Sequence, residues 1–137
     1  MGFWGNIHGG STHFPIALLF SSLLFDVAGF GLHRRAISRD LHIAAFYAVL
    51  LGALATFAAV LSGLIISGWQ FTGGGTIAKH HIFVWPAFGL IVALAVWRLI
   101  VRDKASRPAC GGYLLASLVA TGLMLAAGYW GGEMGMG

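Results

Sequence analysis

The sequence predicts an all-α protein, a transmembrane four-helix antiparallel bundle with both termini on the periplasmic side. Three observations carry that expectation. First, of 137 residues 58% are hydrophobic and 9% charged, with a mean hydropathy of +0.86, whereas a soluble domain carries roughly a quarter charged residues. Second, four apolar blocks are each long enough to cross ~30 Å of hydrocarbon as a helix. Third, the basic residues crowd into two of the connections between those blocks.

The blocks run over about 14–32, 43–68, 81–101 and 112–130, leaving one integral membrane domain over 1–137. None has the alternating pattern of a membrane barrel, so helices are the way to satisfy the backbone in lipid. The first opens on His13-Phe14-Pro15 and contains Asp26. In the second, Gly52, Thr56, Ala59, Gly63 and Ser67 form a small-residue face suited to close helix packing. The third carries Pro86 in its early turns, where it frees a backbone carbonyl and bends the helix. Short connections make sequential helices antiparallel neighbours, and no internal repeat is evident.

Arg34, Arg35 and Arg39 lie in the first connection, and Arg98, Arg102, Lys104 and Arg107 lie around the third. That is seven of the eight Lys and Arg residues on one side, with Lys79 alone on the other. The positive-inside rule therefore places both termini outside the cytoplasm of a bacterial inner membrane. The first span is not a signal peptide, because it lacks a basic leader and is followed by Arg34-Arg35. Trp4, Trp69, Trp85, Tyr129 and Trp130 then form an outer aromatic belt, with Trp97 near the inner interface.

The composition excludes a disordered chain and a nucleic-acid-binding domain, and a single cysteine, Cys110, excludes an internal disulfide framework. The sequence holds no GxSxG, HExxH or phosphate-loop motif. The chemistry rests on six histidines. His33 and His42 read as solvated residues among arginines of the inner connection, while His8, His13, His80 and His81 belong to the outer side.

The first and third helices run in the same direction, so His13 and the His80–His81 pair sit at matched depth. Two such imidazoles can hold a haem iron from both faces. His80 and His81 are ~100° apart on a helix, so one of them faces the site, and His81, one residue deeper, is favoured. Glycines crowd the outer half, leaving volume for a macrocycle. Gly73–Gly75 could offer amide donors to propionates, with Lys79 as the nearby cation. Ordinary small-residue packing explains the same glycines equally well. One haem b is thus the leading cofactor, with His13, His81, His80 and Lys79 as its cofactor-binding residues. Copper held by His8, His13, His80 and His81 with Met134 and Met136 is the alternative, although a tail at Gly131–Gly137 is expected to be mobile. Asp26 is either an ion relay or, by preference, the partner of Arg34, Arg35 or Arg98. Glu133 reads as solvated.

His13-Phe14-Pro15, Asp26, the run from Gly52 through Ser62-Gly63-Leu64, a histidine opening the third helix and Gly131-Gly132 closing the fourth resemble a bacterial family of membrane proteins, domain-of-unknown-function 2231. The resemblance covers nearly the whole chain on short motifs, and it reaches His13, Asp26 and the His80–His81 region residue by residue. It implies four transmembrane helices and a haem-associated or redox role. The ending Glu133-Met134-Gly135-Met136-Gly137 departs from the aromatic-containing close expected of the family. The expected function is a small membrane subunit binding one b-type haem near the outer face for electron transfer. It would act with the lipid bilayer and a redox or membrane-complex partner rather than as a self-contained enzyme. A cofactor-free structural or assembly subunit is the alternative from another class.

Overall fold

The computed structural model describes residues 3–101 and 107–136, and among these it contains helices and turns but no strand. The helices are α1 (Phe3–Ser11), α2 (His13–Gly31), α3 (Ile37–Ile66), α4 (Thr76–Val101) and α5 (Arg107–Met136). Four stretches are long and apolar enough to span a membrane: Ile7–Gly31, Ile37–Ile66, Thr76–Val101 and Ala109–Met134. The expected four spans are therefore present, each reaching further into polar sequence than hydropathy suggests. A helix does not stop where the hydrocarbon does, because its backbone bonds remain favourable in the interface.

This extension matters most at the N-terminus. The Thr12 N–H donates to the His8 carbonyl at 3.1 Å, carrying the helical ladder from α1 into α2. His8, expected in a tail, is thereby part of the first span. The C-terminal tail is likewise helical through Met136 rather than a loose glycine-rich end. Arg102 and Lys104, and the side chains of Trp4, Arg107 and Met136, lie outside the described residues.

Side-chain contacts fix the packing. Along α2 and α3, Leu18 and Leu19 flank Gly52, Ser22 donates to the Ala45 carbonyl at 2.9 Å, and Ser38 donates to the Gly29 carbonyl at 2.8 Å. These pairs run in opposite chain directions, so α2 and α3 form an antiparallel hairpin. At Gly52 an added Cβ would lie 3.4 Å from the Leu18 and Leu19 side chains, in ordinary contact with them. A second hairpin forms from α4 and α5, with His80 on Ala127 at one end and Trp97 stacked on Tyr113 (centroids 4.8 Å apart) at the other. The hairpins meet along α2–α5 and α3–α4, and α2 and α4 stand on the diagonal.

The bundle exposes large apolar side chains and keeps its polar ones within an apolar core. Phe20, Leu54, Phe57, Ile82, Ile100 and Leu115 are exposed, whereas Ser22, Asp26, Thr56, Ser62, Arg98 and Thr121 are buried beside Val49, Ala87 and Ile91. Thr56 and Thr121 each donate to the carbonyl four residues earlier at 2.8 Å, which satisfies their hydroxyls inside their own helices. Pro86 lies on the exposed face of α4, and the helix continues past it.

Candidate functional site

Two polar clusters occupy opposite ends of the bundle interior. Eighteen residues separate His80 from Arg98 along α4, about 27 Å of helix, close to the thickness of the hydrocarbon.

At the arginine-rich end Asp26 is fully buried and receives three hydrogen bonds. Arg98 Nη1 donates to Oδ2 at 2.7 Å, Arg98 Nη2 to Oδ1 at 3.0 Å, and His42 Nδ1 to Oδ1 at 2.8 Å. Arg98 Nη2 also donates to the His42 carbonyl at 3.0 Å, and the guanidinium lies over the Tyr113 ring at 5.1 Å. The paired fork is the strong geometry for this ion pair. Of the three arginines weighed as partners for Asp26, the structure selects Arg98. His42 corrects the expectation of a solvated loop residue. It lies within α3, its ring packs edge-on to Phe30, and an added Cβ on Gly29 would approach its ring to 2.9 Å. His33, in contrast, is exposed and bonds to the Phe30 carbonyl of its own turn.

At the terminal end the organising residues are His8 and His80. His8 Nδ1 lies 3.1 Å from the Ala59 carbonyl and 3.0 Å from Ser62 Oγ, while Ser62 itself donates to that carbonyl at 2.9 Å. His80 Nδ1 lies 2.8 Å from the Ala127 carbonyl. A carbonyl oxygen only accepts, so Nδ1 carries the proton in both rings. In each neutral ring the lone pair therefore resides on Nε2, the nitrogen available to a ligand. The His80 and His81 ring centroids are 5.8 Å apart. Each ring also rests on a glycine: a Cβ on Gly63 would meet His8 Cε1 at 3.0 Å, and one on Gly131 would meet His80 Cε1 at 3.3 Å.

The residues singled out from sequence are distributed differently. His13 is exposed at the head of α2 and, among the described residues, shares no hydrogen bond or ring contact with His81. His81 turns to the outside of the hairpin, where it joins Phe71, Trp85 and Pro86 around a shallow cavity of about 340 Å³. Its Nδ1 is buried without a partner. Of the adjacent pair it is His80, not His81, that faces inward. Lys79 is exposed and its ammonium sits over the Trp130 ring at 4.6 Å, tying α4 to α5. The nearby turn uses left-handed backbone at Gly68, Trp69, Gly73 and Gly75, and a Cβ at Gly73 would collide with Ile77. Among the described residues, no three His, Cys, Asp or Glu side chains are arranged to hold a metal ion.

The sequence offers His8 only as a copper donor, because hydropathy opens the first helix near His13. The signal that finds it is phase. Buried Pro15 lies seven residues after His8, and buried Ala87 lies seven after His80, so both histidines fall on the inward stripes of their helices. With Nδ1 holding the proton, each ring keeps its lone pair on Nε2, and the backbone carbonyl behind it fixes its orientation.

Comparison with curated proteins and with solved structures returns no match. The family model described as a predicted membrane protein, DUF2231, matches residues 5–137, and with its four apolar spans the chain belongs to that family.

Proposed function

We propose that the protein is a small electron-carrying membrane subunit that binds one b-type haem near the periplasmic face, which His8 and His80 would hold. The observation that carries this reading is the matched fixing of two inward imidazoles from different hairpins through Nδ1 to backbone carbonyls. Bound haem would supply reversible one-electron chemistry. The chain's own residues do the rest. Ala59, with the Ser62 hydroxyl, and Ala127 hold the ring orientations and raise the basicity of Nε2. Gly63 and Gly131 give the rings room to lie against α3 and α5. An electron carrier of this kind acts with a redox partner at the same face.

The test is a reduced-minus-oxidised spectrum of detergent-purified protein expressed with ample haem. The expected result is a low-spin bis-imidazole signature in wild type. His8→Ala and His80→Ala each abolish it, while His13→Ala and His81→Ala leave it intact. Wild type without haem, or either inward variant with an unchanged spectrum, overturns the assignment. A cofactor-free scaffold is the second reading, favoured by the fact that each ring already has a backbone partner, and the haem-free outcome supports it.

A further inference from the structure

We infer that the chain is a tandem duplication of one helical hairpin, its copies facing each other across a twofold axis along the bundle, and that Asp26 and Arg98 are the same position in each copy, forming a charged key that holds the copies in register.

A shift of 72 positions carries buried Pro15, Leu19, Ser22 and Asp26 of α2 onto buried Ala87, Ile91, Leu94 and Arg98 of α4. A shift of 68 carries buried Ala45, Val49, Gly52, Ala53, Thr56 and Ala59 of α3 onto Tyr113, Ser117, Ala120, Thr121, Met124 and Ala127, which are all buried in α5. Amphipathic helices always match at some shift, so burial alone decides little.

The hydrogen bonds decide it. His8 bonds to the Ala59 carbonyl and His80 to the Ala127 carbonyl. The donors are related by the first shift and the acceptors by the second. The glycines against the two rings, Gly63 and Gly131, are also related by the second shift. The inter-hairpin contacts are balanced as well, with α2–α5 and α3–α4 meeting to the same extent. Both hairpins enter from the same end, which makes this a parallel repeat with its axis along the membrane normal.

Symmetry gives the Asp26–Arg98 pair its meaning. On a twofold axis a residue meets its own copy, so two identical hairpins would oppose aspartate to aspartate or arginine to arginine. Opposite charges at one position are possible only once the copies have diverged within a single chain. The pair then favours the two copies packing with each other, since a second copy of either hairpin would bring like charges together. This inference stands whether or not a cofactor is held at the other end.

Charge exchange in the full-length chain tests it. Asp26→Arg alone and Arg98→Asp alone each lower the yield of folded, monodisperse protein on the order of tenfold, because two like charges are buried together. Asp26→Arg/Arg98→Asp restores it to within about threefold of wild type, because equivalent positions accept exchanged partners. Adding His42→Cys and Cys110→His, which the second shift relates, completes the exchange and recovers at least as much. If neither exchange exceeds the worse single variant, the inference is overturned.

A second measurement does not depend on rescue. Spin labels at Tyr47→Cys and Leu115→Cys, exposed equivalent positions of α3 and α5, are placed in a Cys110→Ser background. They report one narrow distance distribution. With Asp26→Leu/Arg98→Leu, an apolar pair that lets the bundle fold, the distribution broadens about twofold. An unchanged width overturns the keying role.

Discussion

The two polar clusters use the same amino-acid chemistry to opposite ends. Around Asp26 the donors and acceptors converge: both carboxylate oxygens, two guanidinium nitrogens, the His42 ring and a backbone carbonyl close on one another. Such a cluster has little left to offer a ligand, and it works by being complete. Around His8 and His80 the bonds diverge, each ring reaching outward to its own hairpin partner and leaving Nε2 uncommitted to a backbone carbonyl. A buried polar network that is fully satisfied fixes structure, whereas one that fixes orientation but spares a lone pair is prepared to bind.

Breaking the converged end should have the largest effect. Asp26→Ala strands the Arg98 guanidinium within the span, and the expected loss is about 3–5 kcal/mol of stability, measured by denaturation in detergent. A loss under about 1 kcal/mol would show that the pair is solvated rather than buried. Next comes Gly29→Ala, whose Cβ must displace the His42 ring from 2.9 Å. Overpacking of this kind costs about 1–3 kcal/mol, and the haem spectrum should not change, since the two ends are separate. An altered spectrum would instead show that they are coupled.

At the diverging end Ser62→Ala removes one of the two acceptors at His8 Nδ1 and keeps the Ala59 carbonyl. The expected loss is about 1 kcal/mol, together with a shifted reduction potential read by redox titration. An unchanged potential would mean that the hydroxyl does not tune the ring. The smallest effects belong to His13→Ala and Lys79→Ala, both exposed, which should stay within about 0.5 kcal/mol of wild type in the same denaturation assay. A large loss at His13 would point to an unrecognised partner there.

Much of the bundle was legible because lipid imposes length and apolarity on every span, and four blocks announced themselves. Helix ends were less legible. Polar residues such as His8, Asp40 and Lys79 read as connections although they lie in helices, because hydropathy reports the solvent and not the backbone. That single effect hid His8 within a tail and His42 within a loop. Arg98 is among the partners the sequence offers Asp26, since both lie toward the arginine-rich end of their spans. The choice between His80 and His81 needed helix phase, which the buried run Ala87, Ile91, Leu94 and Arg98 supplies. The repeat escaped notice for a chemical reason. Its most informative equivalence pairs an acid with a base, and its conserved pairs, His8 with His80, Ala59 with Ala127 and Gly63 with Gly131, are too sparse to align without the hydrogen bonds that relate them.

The most direct test of the distinction between the closed end and the end proposed to hold haem is low-temperature EPR of the purified, haem-supplied protein. A low-spin ferric signal from two imidazoles, lost in His8→Ala and in His80→Ala but retained in His42→Ala, is the predicted result. Haem retained without either inward histidine, or lost on removing His42 from folded protein, would contradict it.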